Sequence, residues 1–564
     1  MSWLRNRFSK AHRSRKESSS SSSHQIQLRG PEKQEPGSPT PANETLFQGF
    51  EWHTPGGHWT RLSATLQTYA DLGITSIWLP PGCKANQPDG NGYDCYDLWD
   101  LGEFDQKGAR STKWGSREEL RHLMDKAKDL GIGVIWDAVL SHKTAGDSTE
   151  ECWAVEVDPE DRRIETTKPK KIEPWIHYSF PGRGDKYSSM KWHWQQFNGT
   201  DWDQRAERHA IFKIIDPPDA KGKRPPKGHR KDWAPDVDDE LGNYDYLMFT
   251  NIDYSNAEAR RDVLDWGAWM VSPEVGVAGF RLDAFKHVSW HFARDWTAHV
   301  KAAATDKDVF VVGEYWSGNV QTLIKWVDRV GPGAHAYDAP LLNNLSALSL
   351  AASRRPSSLT PPPVIDMRHQ LFRDALVSAR PRNAVTMVTS HDTWQGQMLE
   401  TPVAPWFKPL AYALVLLRRD GLPCVFYGDL HGVRGPFAAP PSCAGKLPLL
   451  MLLRRCAAYG VQTDYFDART SAGWVRHGTW DRPDGCVVVM SVAGAAKKGM
   501  YVGKWAAGQT FVDVFGKVEE KVVLDERGCG TFGCAPRSVS VWVREGSLPK
   551  ELWEGAARPE KYKL

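Results

Sequence analysis

The stretch Asp129-Leu130-Gly131-Ile132-Gly133-Val134-Ile135-Trp136-Asp137 decides how this chain folds. It follows a segment that opens on Ser116 with Glu119 three residues on, the signature of a capped helix start. Leu120, Leu123, Ala127 and Leu130 then fall on one helical face. Gly131 stands where a helix stop favours a left-handed residue, and a short Val/Ile/Trp run follows and ends in an acid. The same boundary occurs earlier, where Asp71-Leu72-Gly73-Ile74 leads into Thr75-Ser-Ile-Trp-Leu79. Helix, glycine and buried strand in repetition predict βα units and a parallel sheet.

Three further apolar runs end in reactive groups: Gly279-Phe-Arg281-Leu-Asp283, Val309-Phe-Val-Val-Gly-Glu314 and Val385-Thr-Met-Val-Thr-Ser-His391-Asp392. With Asp137, followed closely by His142, they place acids, histidines and an arginine at the C-terminal ends of several buried strands. That is the layout of a (β/α)8 barrel active site. The set holds no Cys nucleophile, no Ser-His-Asp spacing and no phosphate-binding glycine loop. Carboxylates in excess suit chemistry on a neutral polyol such as a sugar.

Residues 1–43 are rich in Ser, Pro and charge and are expected to be a disordered tail. The barrel is expected over 44–142 and 251–445. The polar, aromatic, turn-rich segment 143–250 interrupts it as an inserted domain, with a Pro- and Lys/Arg-rich loop from Asp216 to Lys231. A second Pro-rich loop lies at 353–364. The strand Pro423-Cys-Val-Phe-Tyr427 should close the barrel. Short Val/aromatic strands between glycine turns predict an antiparallel β-sandwich domain over 446–545, and 546–564 reads as a tail.

The chain has 564 residues and a net charge of +3, which gives no dominant basic face for nucleic acid. Its 26 Trp are unusually many; most are expected to pack the core and several to line a sugar groove. Nine scattered Cys, an odd number without framework spacing or a CxxC zinc pair, predict reduced thiols. No apolar stretch is long enough to span a bilayer, and the N-terminus lacks the apolar core of a secretory signal. The expected location is the cytoplasm. The alternative is mitochondrial, because residues 2–16 are Arg-rich and free of acids.

Four of these segments, Asp137-Ala-Val-Leu-Ser-His142, Gly279-Phe-Arg-Leu-Asp-Ala-Phe-Lys-His287, Gly313-Glu-Tyr-Trp316 and Val388-Thr-Ser-His-Asp-Thr393, resemble the four sequence regions of the α-amylase family, glycoside hydrolase family 13. Gly92-Tyr-Asp-Cys-Tyr-Asp-Leu98, Phe180-Pro-Gly-Arg-Gly184, Lys191-Trp-His-Trp194 and Trp406-Phe-Lys-Pro-Leu-Ala-Tyr412 look like the bacterial liquefying members, and the lack of a secretion signal is similar to intracellular fungal ones. The resemblance implies a (β/α)8 barrel with an inserted domain B and a C-terminal β domain. It implies retaining cleavage of internal α-1,4-glucosidic bonds of starch, glycogen or maltooligosaccharides. Asp283 would be the nucleophile, held ionised by Arg281, Glu314 the acid and base, and Asp392 the stabiliser of the transition state. His142 and His391 would bond the hydroxyls of the sugar at the cleaved bond, Tyr96 would stack on it, and Lys286, His287 and Trp316 would complete the substrate contacts. Asp137 would hold its neighbours in place. Trp192 and Trp194 divide evenly between core and groove.

The chain departs from the family pattern at Ser141 and Ser390, where Asn is usual, at Asn251, where Asp is common, and at Trp394, where Gln is common. The family calcium position would be Asp245, Asn251, Ser141 and the backbone carbonyl of His287. No cofactor is required, and calcium is expected to bind weakly or not at all, with one carboxylate where two are usual. The partner is an α-glucan or maltooligosaccharide, with no nucleic acid or membrane partner. The nearest rival function is a 4-α-glucanotransferase that makes or trims α-glucan, for instance for a cell wall. A remoter one is a catalytically inactive glucan binder.

Overall fold

Both glycine boundaries open strands of a closed barrel in this computed structural model, which describes residues 39–226, 228–354 and 364–548. Gly73 and Gly131 take left-handed backbone, with φ of 86° and 68°. Glu119 N donates to Ser116 Oγ at 3.2 Å, and Ser116 N donates to Glu119 Oε2 at 2.8 Å, so the helix Arg117–Asp129 starts on a reciprocal cap. Its Leu120, Leu123 and Ala127 are buried. Each leucine so buried contributes about 1.5–3 kcal/mol.

The barrel strands are β1 (Leu46–Gln48), β2 (Ser76–Leu79), β3 (Gly133–Ala138), β4 (Gly279–Leu282), β5 (Phe310–Gly313), β6 (Ala334–Tyr337), β7 (Ala384–Met387) and β8 (Leu422–Phe426). Each pairs in parallel with the next, and β8 returns to β1. Register matters most between β3 and β4, where Arg281 stands opposite Asp137. Partners in a parallel ladder share a face, and so do residues two apart on a strand. Asp137, Arg281 and Asp283 therefore converge at one end of the barrel. Past the strand ends the ladder continues, with Asp283 N bonded to Ala138 O at 3.0 Å and Glu314 N to Leu282 O at 2.9 Å.

The helix Leu447–Cys456 follows β8 and packs on the helix Lys408–Leu417. The barrel thus runs to Cys456, past the boundary expected at 445. The tail boundary also shifts. Of the expected tail, 1–38 lies outside the described residues, but Thr40 N donates to Asp481 Oδ2 at 2.9 Å and Asn43 Nδ2 to Arg454 O at 2.8 Å. The second Pro-rich loop lies largely outside the described residues, as does the tail beyond 548.

The insertion leaves and re-enters the barrel through two short strands, His142–Lys143 and Thr250–Ile252, that pair with each other, Asn251 opposite His142. They form one edge of a six-stranded sheet completed by Phe197–Asp203, Arg208–Ile215, Cys152–Glu156 and Lys170–Ile172. Arg183 pins the insertion to the loop after β2. Its Nε donates to Asp97 Oδ2 at 2.7 Å, with both side chains fully buried, and its Nη1 reaches the carbonyls of Lys186 and Ser188.

The C-terminal strands from Gln462 to Arg544 form a six-stranded sheet, faced by the pair Ala496–Tyr501 and Cys529–Cys534. Val487, Val489, Phe511, Phe532 and Trp542 fill the space between. Among the described residues no helix is long and apolar enough to cross a membrane.

Candidate active site

Arg281 sits at the hub of four carboxylates. Its Nη1 donates to Asp137 Oδ1 at 2.7 Å and to Asp283 Oδ1 at 2.5 Å. Its Nη2 lies 2.9 Å from Glu314 Oε2 and 4.0 Å from Asp392 Oδ2. β3, β4, β5 and the loop after β7 each supply one member, as the sequence pattern requires. Ala284 adopts left-handed backbone, φ 51°, and its N–H donates to Glu314 Oε2 at 2.9 Å. A non-glycine residue held there beside the site is local strain that the surrounding structure sustains.

One buried guanidinium does not offset the burial of four acids, and the proton affinity of all four is raised. Burial pushes Asp137 up to about 7 despite Arg281. Glu314 is raised by burial and then by Asp283, and Asp392 is raised strongly by burial and by Glu314. Asp283 also moves upward. Arg281 was expected to hold it ionised; the contact is made, but burial outweighs it. Burial alone would lower Arg281, yet Asp137, Glu314 and Asp283 reverse this and keep it charged.

His391 is built into an aromatic clamp, with the Tyr93 ring stacked at 5.5 Å and those of Phe50, Trp52 and Trp78 at 5.0–5.5 Å. Gln48 Nε2 donates to its Nδ1 at 2.8 Å, which puts the ring proton on Nε2, 3.1 Å from Asp392 Oδ2 and 2.8 Å from the Tyr93 hydroxyl. That hydroxyl and Trp78 Nε1 both donate to Asp137 Oδ2. Burial keeps the imidazole neutral. His142 is neutral for the same reason. Its Nε2–H donates to Tyr93 O at 2.8 Å, so its Nδ1 accepts the Ser141 hydroxyl, also at 2.8 Å.

Asp283, Glu314, Asp392, Arg281 and His391 are thus brought together, with His142 one residue away through Tyr93. Tyr96 is not among them. It is buried, donates to Asp147 Oδ1 at 2.7 Å and packs on Phe180. Tyr93, not Tyr96, stands beside His391 and Asp137. Lys286 is paired with Glu240 of the insertion, and His287 Nδ1 donates to Tyr244 O at 2.7 Å, so both serve the junction between insertion and barrel. Trp316 is half-buried against the core and Trp194 likewise. Trp192 is fully buried and belongs to the core. Gln48, Trp52 and Trp78 join the site without having been singled out from sequence.

The family resemblance implies calcium beside Asp245. Asp245 Oδ2 accepts from Asn198 Nδ2 at 2.7 Å and from Ala234 N at 2.8 Å, and burial pushes its carboxyl up to about 7. Asn198 Oδ1 in turn accepts from Asn251 Nδ2 at 2.8 Å. This leaves Asn251 Oδ1 facing the carbonyl oxygens of Ser141 and Asp245 at 3.2 Å; turned over, the amide would satisfy both but would set its oxygen against Asn198 Oδ1. The oxygens fit a hard cation, but they bring one carboxylate, and the Ser141 hydroxyl is committed to His142. Nearby, Lys231 Nζ bonds Asp253 and the Gln195 carbonyl, supplying positive charge from the chain itself. No group of three or more His, Cys, Asp or Glu able to hold a metal occurs among the described residues.

Comparison with known proteins agrees with this geometry. The α-amylase catalytic-domain model matches residues 8–446, and the α-amylase C-terminal model matches residues 487–543. The chain belongs to the α-amylase family. It is 39% identical to the α-amylase of Geobacillus stearothermophilus over 92% of this chain and 90% of that protein. It is equally 39% identical to the cytoplasmic α-amylase of Escherichia coli (strain K12), over 89% of this chain and 99% of that one. The fold is also that of the Geobacillus thermoleovorans α-amylase solved with acarbose, with a TM-score of 0.55, 17% identity and coverage of 90% and 99% of the two chains.

Proposed function

We propose that this member of the family is an endo-acting, retaining hydrolase of internal α-1,4-glucosidic bonds in starch, glycogen or maltooligosaccharides. The observation that carries the reading is the grouping of Asp283, Glu314 and Asp392 around Arg281. Asp283 attacks the anomeric carbon while Glu314 gives its proton to the departing glycosidic oxygen. A glucosyl ester on Asp283 forms as the C–O bond to the leaving chain breaks. Glu314, now a base, takes a proton from water, which displaces Asp283 with a second inversion. Asp392 offsets the positive charge that develops on the ring, and the neutral His391 ring holds it from 3.1 Å away. The raised proton affinity of Glu314 serves its first role.

Seven of the nine Cys are buried, and all nine are free thiols, which favours a reducing cytoplasmic setting. Calcium is dispensable on this reading, because the one-carboxylate oxygen set beside Asp245 gives weak binding.

The deciding experiment is incubation with maltoheptaose. Net release of reducing ends with shorter products supports hydrolysis. Redistribution into longer and shorter chains without net reducing ends would instead make the protein a glucanotransferase. An intact substrate would make it a binder.

A further inference from the structure

The one polar residue of β1 is Gln48, and its side chain is fully buried. In the parallel ladder it stands opposite Trp78 of β2 and Phe426 of β8. Gln48 and Trp78 therefore share a face, and both reach His391. The Trp78 ring lies 5.5 Å from the imidazole, and the Gln48 amide bonds its Nδ1 at 2.8 Å. A buried amide costs stability unless its groups are bonded. Here Nε2 bonds His391, but Oε1 meets no donor among the described residues. An apolar side chain of the same length would bury at less cost, so packing does not explain the amide.

The ring it meets cannot turn. Phe50, Trp52, Trp78 and Tyr93 hold the imidazole plane. What remains free is which nitrogen carries the proton. Two acceptors converge on Nε2. One is Asp392 Oδ2 at 3.1 Å; the other is the Tyr93 oxygen at 2.8 Å, whose own proton goes to Asp137 Oδ2. A bare Nε2 would face the Asp392 carboxylate lone pair to lone pair. Gln48 opposes that form, because an N–H aimed at Nδ1 leaves no place for a ring proton there. Beyond Asp392 and Tyr93, the charge of Arg281 also acts on the ring and disfavours a second proton.

We propose that Gln48 is a positioning residue of the catalytic machinery: by donating to Nδ1 it fixes His391 in its Nε2–H form, whose N–H orients the Asp392 carboxylate toward the charge that develops on the sugar. This role rests on the α-1,4-glucan hydrolase reading above. A second effect acts in the same direction. A donor on Nδ1 polarises the ring and makes Nε2–H a stronger donor. The hydrogen bonds then run one way, from the Gln48 amide through the imidazole to Asp392 on one branch and to Tyr93 and Asp137 on the other.

The test uses full-length protein, maltoheptaose, Gln48→Met and Gln48→Glu. Methionine keeps the length and removes the donor. Its kcat should fall about 3- to 10-fold, with KM little changed. Its melting temperature should stay close to wild type, since losing the bond to Nδ1 is offset by removing the orphaned Oε1. Glutamate, when ionised, reverses the bond: it draws a proton onto Nδ1 and strips Nε2, so kcat should fall about 10- to 100-fold. When the Glu–His pair takes up one more proton, Nε2 is protonated again. The ratio of Gln48→Glu to wild-type kcat should therefore rise as pH falls; a merely structural role leaves it flat. Spectra of wild-type protein carrying 15N-histidine, with His391 assigned by its loss in His391→Asn, should show a bare Nδ1 and a protonated Nε2. They hold even if a Gln48 variant does not fold. A protonated Nδ1, or wild-type kcat in folded Gln48→Met with a flat ratio in Gln48→Glu, would overturn the role of Gln48 and leave the hydrolase reading intact. A wild-type protein that leaves maltoheptaose uncut would overturn that reading, and the role of Gln48 with it.

Discussion

The Tyr93 hydroxyl donates to Asp137 Oδ2 at 2.8 Å. It thereby ties the loop after β2 to the acid that anchors Arg281, and it also meets His391. Tyr93→Phe should cost about 1–3 kcal/mol of stability by leaving a buried carboxylate short of a donor, and should lower kcat by about tenfold or more. Tyr96→Phe, whose hydroxyl meets only Asp147, should keep kcat near wild type. Parallel melts and kinetics on maltoheptaose compare the two. Equal losses in kcat would contradict the placement of Tyr93.

Asp283→Asn should reduce turnover by about 10⁴-fold or more with folding intact, because the nucleophile is lost while its volume is kept. Glu314→Gln should be severe on maltooligosaccharides but milder on glycosides with activated leaving groups, which need no proton. Substantial activity of Asp283→Asn on maltooligosaccharides would show that another group attacks.

The rate should follow a bell in pH. Asp283 must be ionised, so activity is lost as pH falls through its raised pKa; Glu314 must be protonated, so activity is lost as pH rises through its own. Glu314→Gln assayed with an activated leaving group should lack the limb due to its acid role. A profile that keeps that limb would assign it to another group.

Stability should fall on the acid side for a different reason. Burial lowers His58 to about 3, with its Nε2 bonded to Gly49 O at 2.7 Å. A base whose folded pKa lies below its unfolded one contributes stability that is full above about 6.5 and lost as pH falls toward about 3. Replacing His58 with Gln should flatten the fall in unfolding free energy over that window by up to about 1.4 kcal/mol per pH unit. Denaturant titrations at several pH values read it directly, and an unchanged slope would remove His58 from the account.

Excess chelator should move the melting temperature by no more than about 2 °C, since a weakly held ion adds little to folding. Lys231→Met should cost about 3 kcal/mol, because it strips the buried Asp253 of its cation. A large drop on chelation would show that calcium, not Lys231, carries the junction.

Much of the site was legible because a parallel barrel places strand-end residues at one rim, and the strands announce themselves as apolar runs. Asp137, Arg281, Asp283, Glu314 and Asp392 followed from that rule. Tyr93 did not, because a loop of alternating Gly, Tyr and Asp gives no periodicity to say which tyrosine faces the rim. Pairing with the neighbouring segment turns Tyr96 toward Asp147 and leaves Tyr93 beside His391. The helix Leu447–Cys456 fell outside the expected barrel because its all-round apolar run carries no glycine stop of the kind that marks the earlier units. The upward shift of Asp283 was invisible for another reason: sequence shows the opposite charge but not how deeply both groups are buried.

The two strands through which the insertion joins the barrel have one more consequence. His142 and Asn251 lie opposite each other in that neck. The inserted segment therefore begins and ends at adjacent points, like a bud on a single stalk. Between its anchors Asp216 and Lys231, the outer loop can lengthen or shorten over evolutionary time at little entropic cost. A tilt of the stalk itself, however, is delivered straight to the histidine that borders the reacting sugar.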